Sequence, residues 1–316
     1  MPAHQILPSA LLLPVAGLLG LILGSFATCA GHRLAHGGSV LSPSRSYCPA
    51  CGRTLSWHDN IPLLGWLLQG GRCRLCQARI SARYPLTELT SGGFALCAMA
   101  VFGPTPHFLA ALAFGTLWLV LSLIDLETYL LPDALTLPGA AAALACSALL
   151  PPLWTLGIGW ERALAGGLFG GGGLWLAAVL YRRVRGVDGL GLGDAKLMLL
   201  VGALLGPAAV GVTLFGGACL ALPVGLAAMR RDGRENANAG DDADGSEQNN
   251  ERGNKKGDEQ GDEQGNEPGN LDDVLDAPGQ GLQTRLPFGP FLCAAAAGYL
   301  LGGPWLLHWW LGLPLP

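Results

Sequence analysis

Eight separate apolar runs punctuate this chain, and most of them are 16–25 residues long. They cover residues 6–30, 86–102, 108–124, 135–150, 163–181, 195–205, 207–229 and 287–307. A helix needs about 20 apolar residues to cross the hydrocarbon core of a bilayer. In lipid every backbone polar group must find its partner within the protein, which leaves helices and closed barrels as the spanning structures. Runs this long and this uniformly apolar predict an all-α polytopic integral membrane protein with about eight transmembrane helices. Composition agrees, since only 13% of residues are charged, against about 25% in soluble domains. The run at 195–205 is short for a span. The first run could be a secretory signal, but it lacks the basic n-region such a signal carries, so it reads as a retained first helix.

The net charge of −4 hides an uneven distribution. Residues 231–285 hold 15 of the 23 acids and 6 of the 19 bases, a balance of −9, whereas the rest of the chain carries +5. With eight spans and an outer N-terminus, the inner segments are 31–85, 125–134, 182–194 and 230–286, and they hold 17 of the 19 Lys and Arg. The positive-inside rule accepts this orientation and rejects its inverse. The bases flank spans without forming a stripe with stacking aromatics, so a nucleic-acid partner is not expected. Membrane lipid is. The acidic stretch is low-complexity, with near-repeats such as Gly257-Asp258-Glu259-Gln260 and Gly261-Asp262-Glu263-Gln264. It has too little apolar surface to offset ordering entropy and no oxygen-ligand spacing for calcium. The expected organisation is a first helix (1–30), a polar cytoplasmic segment (31–85), a transmembrane core (86–230), a disordered acidic cytoplasmic loop (231–285) and a last helix with the C-terminus (286–316).

Within the polar segment, Cys48 and Cys51 are followed by Cys73 and Cys76, with 21 residues between the pairs. Four thiolates in two close pairs suit a tetrahedral structural Zn²⁺. Two disulfides are the alternative, disfavoured by a reducing cytoplasm. A four-Cys site is closed to water, so zinc here would fold the loop and would not hydrolyse anything. Cys29, Cys97, Cys146, Cys219 and Cys293 lie in apolar spans and read as small core residues.

Two acids sit at the inner ends of spans. Asp194 lies in Gly189-Leu190-Gly191-Leu192-Gly193-Asp194-Ala195-Lys196, and Asp125 closes Ser122-Leu123-Ile124-Asp125. Acids at membrane depth are costly and by default mark function, although Asp194 would also serve as a helix N-cap. Asp133, after Pro132, reads as the boundary of the next helix, and Lys196 as an interfacial anchor. Two facing carboxylates share a proton. One can then activate water while the other protonates the carbonyl oxygen or leaving amine, which without metal is aspartic peptide hydrolysis. No His has a metal-ligand neighbour of fitting spacing. A proton-coupled transporter using intramembrane carboxylates is the rival reading. It would place its acids near mid-bilayer, within inverted repeats.

Gly191-Leu192-Gly193-Asp194 is a GxGD motif, shared with presenilin-like proteases. It occurs here together with Gly24-Ser25-Phe26, the two Cys pairs, Asp59-Asn60-Ile61-Pro62-Leu63-Leu64-Gly65-Trp66 and Arg83-Tyr84-Pro85-Leu86-Thr87-Glu88. Ile124-Asp125-Leu126, Leu131-Pro132-Asp133 and Leu286-Pro287-Phe288-Gly289-Pro290-Phe291 complete the set. From about residue 20 to 300 the chain resembles a type IV prepilin leader peptidase. That resemblance implies a bacterial inner-membrane aspartic endopeptidase with a periplasmic N-terminus. It implies removal of the basic leader of prepilins or type II secretion pseudopilins at the cytoplasmic face. In many members N-methylation of the new terminus with S-adenosylmethionine follows. It also implies Asp125 and Asp194 as the catalytic pair and Cys48, Cys51, Cys73 and Cys76 as zinc ligands. The acidic insert departs from the family's short connection.

Overall fold

A computed structural model describes residues 6–40, 46–48, 50–186, 191–247 and 287–311. Gly189 and Leu190 of the glycine-rich stretch, and most of the acidic stretch (248–285), lie outside the described residues.

The described chain is helical, with isolated β-bridges and no strand among the described residues. Helix α1 spans Ile6–Ala35, and a short α2 covers Leu64–Leu68. Next come α3 (Arg83–Phe102), α4 (Pro106–Thr128) and α5 (Asp133–Leu149). Helix α6 (Trp160–Gly167) continues through a π-helical turn at Leu168–Gly172 into α7 (Gly173–Arg185). Helices α8 (Leu192–Leu205), α9 (Pro207–Glu247) and α10 (Gly289–Leu311) complete the series. Every apolar run read from the sequence is therefore helical, but the runs are not equal in length. Five helical segments are long and apolar enough to cross a membrane: Leu11–Ala35, Arg83–Phe102, Pro106–Thr128, Trp160–Arg185 and Pro207–Arg230. Asp133–Leu149 and Gly289–Gly303 are apolar but shorter, and α8 is shorter still, at 14 residues.

The chain divides into two units. The larger holds Met1–Leu220 and Pro287–Pro316, and the smaller Ala221–Leu286. In the smaller unit α9 runs on to Glu247 instead of stopping near Arg230. Once an apolar segment has nucleated a helix, each further residue adds a hydrogen bond without a new nucleation cost.

In the larger unit the core is centred on α8, where Leu197, Met198, Leu200, Val201 and Leu204 are fully buried. A helix this apolar with so little exposed surface is an internal element, which explains how a 14-residue segment keeps its place. Its neighbours approach closely through glycine. A Cβ on Gly202 would collide with the Gly166 carbonyl, and one on Gly166 with the Gly202 carbonyl. Helices α1 and α3 meet in the same way: a Cβ on Gly24 would lie 2.8 Å from Glu88 Cα. Small residues let helix backbones pack where lipid supplies no hydrophobic drive between them. A hydroxyl pair, Thr28 Oγ1 and Thr87 Oγ1 at 2.6 Å, adds a polar tie across that seam.

Candidate functional site

Asp125 lies in the last turn of α4 and Asp194 in the first turn of α8, so helix termini present both acids. Asp125 is buried and Asp194 half-buried. The structure brings them within electrostatic reach of each other. The glycines of the motif clear the ground. A Cβ on Gly193 would stand 3.3 Å from Leu131 Cβ, and one on Gly191 3.5 Å from Asp194 Oδ2.

The third component is the start of α10, which packs against both α4 and α8. The backbone N–H of Gly289 donates to Asp125 Oδ2 at 2.9 Å. First-turn N–H groups have no partner within their own helix, and a carboxylate there gains from the helix dipole. Asp125 thus caps a helix distant in sequence and is held by it. A Cβ on Gly289 would fall 2.6 Å from Asp125 Oδ2, so only glycine fits there without displacing the acid. Cys293, one turn further along α10, is buried within electrostatic reach of both acids. Reading from the sequence marks the Leu286–Phe291 motif and a core cysteine without assigning either to the aspartates. The signal available was a glycine between Phe288 and Pro290.

Asp133 opens α5 and forms an ion pair with Lys196. The Lys196 ammonium thus lies on the interhelical side with Asp133 as its partner, and Asp133 is a clamp between α5 and α8. Elsewhere on α4, Glu127 Oε2 lies 3.4 Å from His32 Nδ1 and 3.7 Å from His36 Nδ1 on α1.

The four cysteines converge: their Sγ atoms all lie within 4.8 Å of one another. Each pair sits in the same small fold. Cys48 N–H donates to Arg53 C=O at 2.8 Å, with a bridge between Tyr47 and Thr54 and Gly52 at φ +70. Cys73 N–H donates to Ala78 C=O at 2.9 Å, with a bridge between Arg72 and Arg79 and Gln77 at φ +58. The two knuckles are a structural repeat. Asp59, whose side chain is 1% exposed, ties them together: it receives Arg53 of the first at 3.0 Å and Arg74 of the second at 3.1 Å.

The donor set fits zinc. All four cysteines are free thiols, and Cys48 Sγ lies 3.8 Å from Cys76 Sγ. A disulfide needs about 2.05 Å, whereas a tetrahedron with Zn–S bonds of about 2.3 Å has edges of about 3.8 Å. The backbone N–H groups of Cys76 and Leu75 lower the Cys73 thiol to about 6. Against a lowering hydrogen bond from Ala78, desolvation and the neighbouring thiols push Cys76 up to about 11. The first proton leaves readily and later ones are opposed by accumulating negative charge, which a divalent cation relieves.

Comparison with known proteins accords with this arrangement. Residues 18–102 match the Bacterial Peptidase A24 N-terminal domain, and residues 112–226 match the Type IV leader peptidase family. A prepilin leader peptidase/N-methyltransferase of Burkholderia pseudomallei (strain 1026b) is 36% identical over 253 residues, covering 72% of this chain and 80% of that protein. The protein of that name from Myxococcus xanthus (strain DK1622) is 32% identical over 307 residues, covering 92% and 90%. The one from Klebsiella pneumoniae is 40% identical over 205 residues, covering 62% and 86%. No solved structure matches. The transporter reading gains no support from these relatives. A chain whose described residues are helical, with membrane-length apolar segments, an acid at each of two helix ends within electrostatic reach and relatives matched along most of its length, belongs to the type IV leader peptidase family of prepilin leader peptidase/N-methyltransferases.

Proposed function

We propose that this protein cleaves the basic leader from type IV prepilins or type II secretion pseudopilins at the cytoplasmic face of the bacterial inner membrane. It then N-methylates the new terminal residue with S-adenosylmethionine. Asp125 and Asp194 are the catalytic pair in this reading. The observation that carries it is two carboxylates, at the end of α4 and the start of α8, within electrostatic reach of each other, one of them fixed by Gly289 N–H. Asp125 cannot swing freely, because Oδ2 is tied, so its other oxygen keeps a set direction. Asp194, half-buried on the first turn of α8, is more accessible than the buried Asp125 and so the better placed to meet water. With one proton between them, the ionised carboxylate takes a proton from water as the water attacks the scissile carbonyl. The protonated one donates to the carbonyl oxygen and afterwards to the leaving amine.

The eight apolar helices are read as eight spans, with the N-terminus periplasmic and the Cys knuckles cytoplasmic, supported by the distribution of Lys and Arg. Cys48, Cys51, Cys73 and Cys76 would hold zinc, which would supply a fold-holding cross-link and no chemistry on substrate. The test is co-expression with candidate prepilins and pseudopilins, reading the N-terminal mass of the pilin. A product shortened by its leader and heavier by one methyl group is expected. An uncleaved pilin from cells with abundant membrane-inserted protein would overturn the reading.

A further inference from the structure

A cavity of about 360 Å³ lies between the C-terminal part of α1, the start of α3 and the knuckle segment. We propose that this cavity holds S-adenosylmethionine, with Glu88 at its reacting end as the group that receives the substrate amine. The inference rests on the methyl-transfer half of the proposed function and supplies the site that reading lacks.

The size is at the lower end of small-molecule sites, enough for one such molecule. The lining is mostly apolar with a few charged groups, the usual character of a cofactor site. S-Adenosylmethionine presents a flat purine, a carboxylate and cationic sulfonium and ammonium groups. For the purine the wall offers the Trp66 indole, pinned by its Nε1–H donating to Ile80 C=O at 3.2 Å. For the carboxylate, Arg33 and Arg79 both line the cavity.

Glu88 is the second observation. It is only 6% exposed and lines the cavity, yet has no ion-pair partner among the described residues. Its Oε2 accepts from Leu63 N–H at 2.7 Å, and Leu63 holds φ +61, rare for a leucine. A buried carboxylate lacking a cationic partner is costly unless a ligand provides one, and strained backbone gathers at functional sites. The other cavity carboxylate, Asp59, is already paired with Arg53 and Arg74.

The place also suits a two-step enzyme. His32 lines the cavity and stands 3.4 Å from Glu127, two residues beyond Asp125 on α4. The cavity wall thus touches the inner end of α4, the helix that carries Asp125. In the cavity Glu88 takes a proton from the terminal ammonium of the cleaved substrate. The freed amine pair attacks the sulfonium methyl carbon, the carbon–sulfur bond breaks, and its electrons stay on sulfur as a neutral thioether. The methylated nitrogen keeps the positive charge, and Glu88 returns its proton to solvent.

The test uses the full chain in lipid nanodiscs. A photoreactive 8-azido-adenosyl analogue of S-adenosylmethionine is cross-linked to wild type and mapped by peptide mass spectrometry. Labelling within the Trp66–Ile80 segment is expected, and labelling confined to other parts of the chain would overturn the proposal. Ser25→Phe, which places a ring in the cavity, should weaken S-adenosylmethionine binding at least about tenfold in equilibrium dialysis; wild-type affinity would count against the site. Glu88→Gln should keep that binding, lower methylation about 10²-fold and regain rate as pH rises and the amine deprotonates unaided. An unchanged pH profile would remove Glu88 from the role. Prepilin cleavage is measured on the same wild-type sample. Cleavage with no cavity label strikes this inference alone, whereas loss of cleavage strikes the proposed function itself.

Discussion

The knuckle segment and the aspartate site solve the same problem, fixing a few reactive atoms, by opposite means. The knuckles have little apolar core. They rely on local turns repeated twice, on a carboxylate shared by two arginines, and on four sulfurs arranged for a metal. The aspartate site has no such local scaffold. Its acids come from α4 and α8, which are joined through α5 and α10, helices packed on both, and one N–H from α10 holds Asp125. Local scaffolds survive changes elsewhere and fail when a ligand is lost. A packed site tolerates change at a distance and fails when one backbone contact is widened.

That contrast can be broken most severely at the acids. Asp125→Asn and Asp194→Asn should each lower prepilin cleavage about 10³-fold or more, measured on protein that still accumulates in the membrane. Asp133→Asn removes only the Lys196 clamp and should retain substantial activity. A dead Asp133→Asn beside an active Asp125→Asn would reassign the first aspartate. Gly289→Ala tests the packed nature of the site without touching an acid. Its methyl displaces Asp125, and a shift of about 1 Å can cost about 10²-fold in rate. Wild-type turnover would show that the Gly289 N–H is dispensable.

On the other side, purified protein should carry about one Zn²⁺ per chain. The double change Cys48→Ser with Cys51→Ser should empty the site and open residues 46–80 to limited proteolysis. Elemental analysis without metal, together with two disulfides by mass, would overturn the zinc assignment. Asp59→Ala leaves the sulfurs in place and removes the tie between knuckles. It should lower local stability by about 1–3 kcal/mol, seen as faster amide exchange confined to the knuckles, and exchange spreading into the bundle would contradict their independence. The smallest effect is expected at the acidic stretch. Replacing residues 248–284 by a short Gly/Ser linker should leave the cleavage position unchanged and rates within about twofold at high salt. A loss confined to low salt would instead indicate electrostatic steering of the basic leader.

Much of this was legible without coordinates. The apolar runs dictated helices because lipid offers no other partner for the backbone, and each run is helical in the structure. The Cys pairs announced a ligand set because short spacings make neighbours of their sulfurs. Asp125 and Asp194 stood out because a charge near an apolar run is costly enough to need a reason. Other features depended on tertiary structure. Periodicity could not show that α8 is an internal helix, since burial depends on what surrounds it. Nor could it show that Lys196 turns to Asp133, that Gly289 holds Asp125 across 164 residues of chain, or that Glu88 faces a cavity roofed by the knuckles. Those are contacts between segments remote in sequence. Local rules determine what each segment becomes, and packing decides which of their few polar atoms meet.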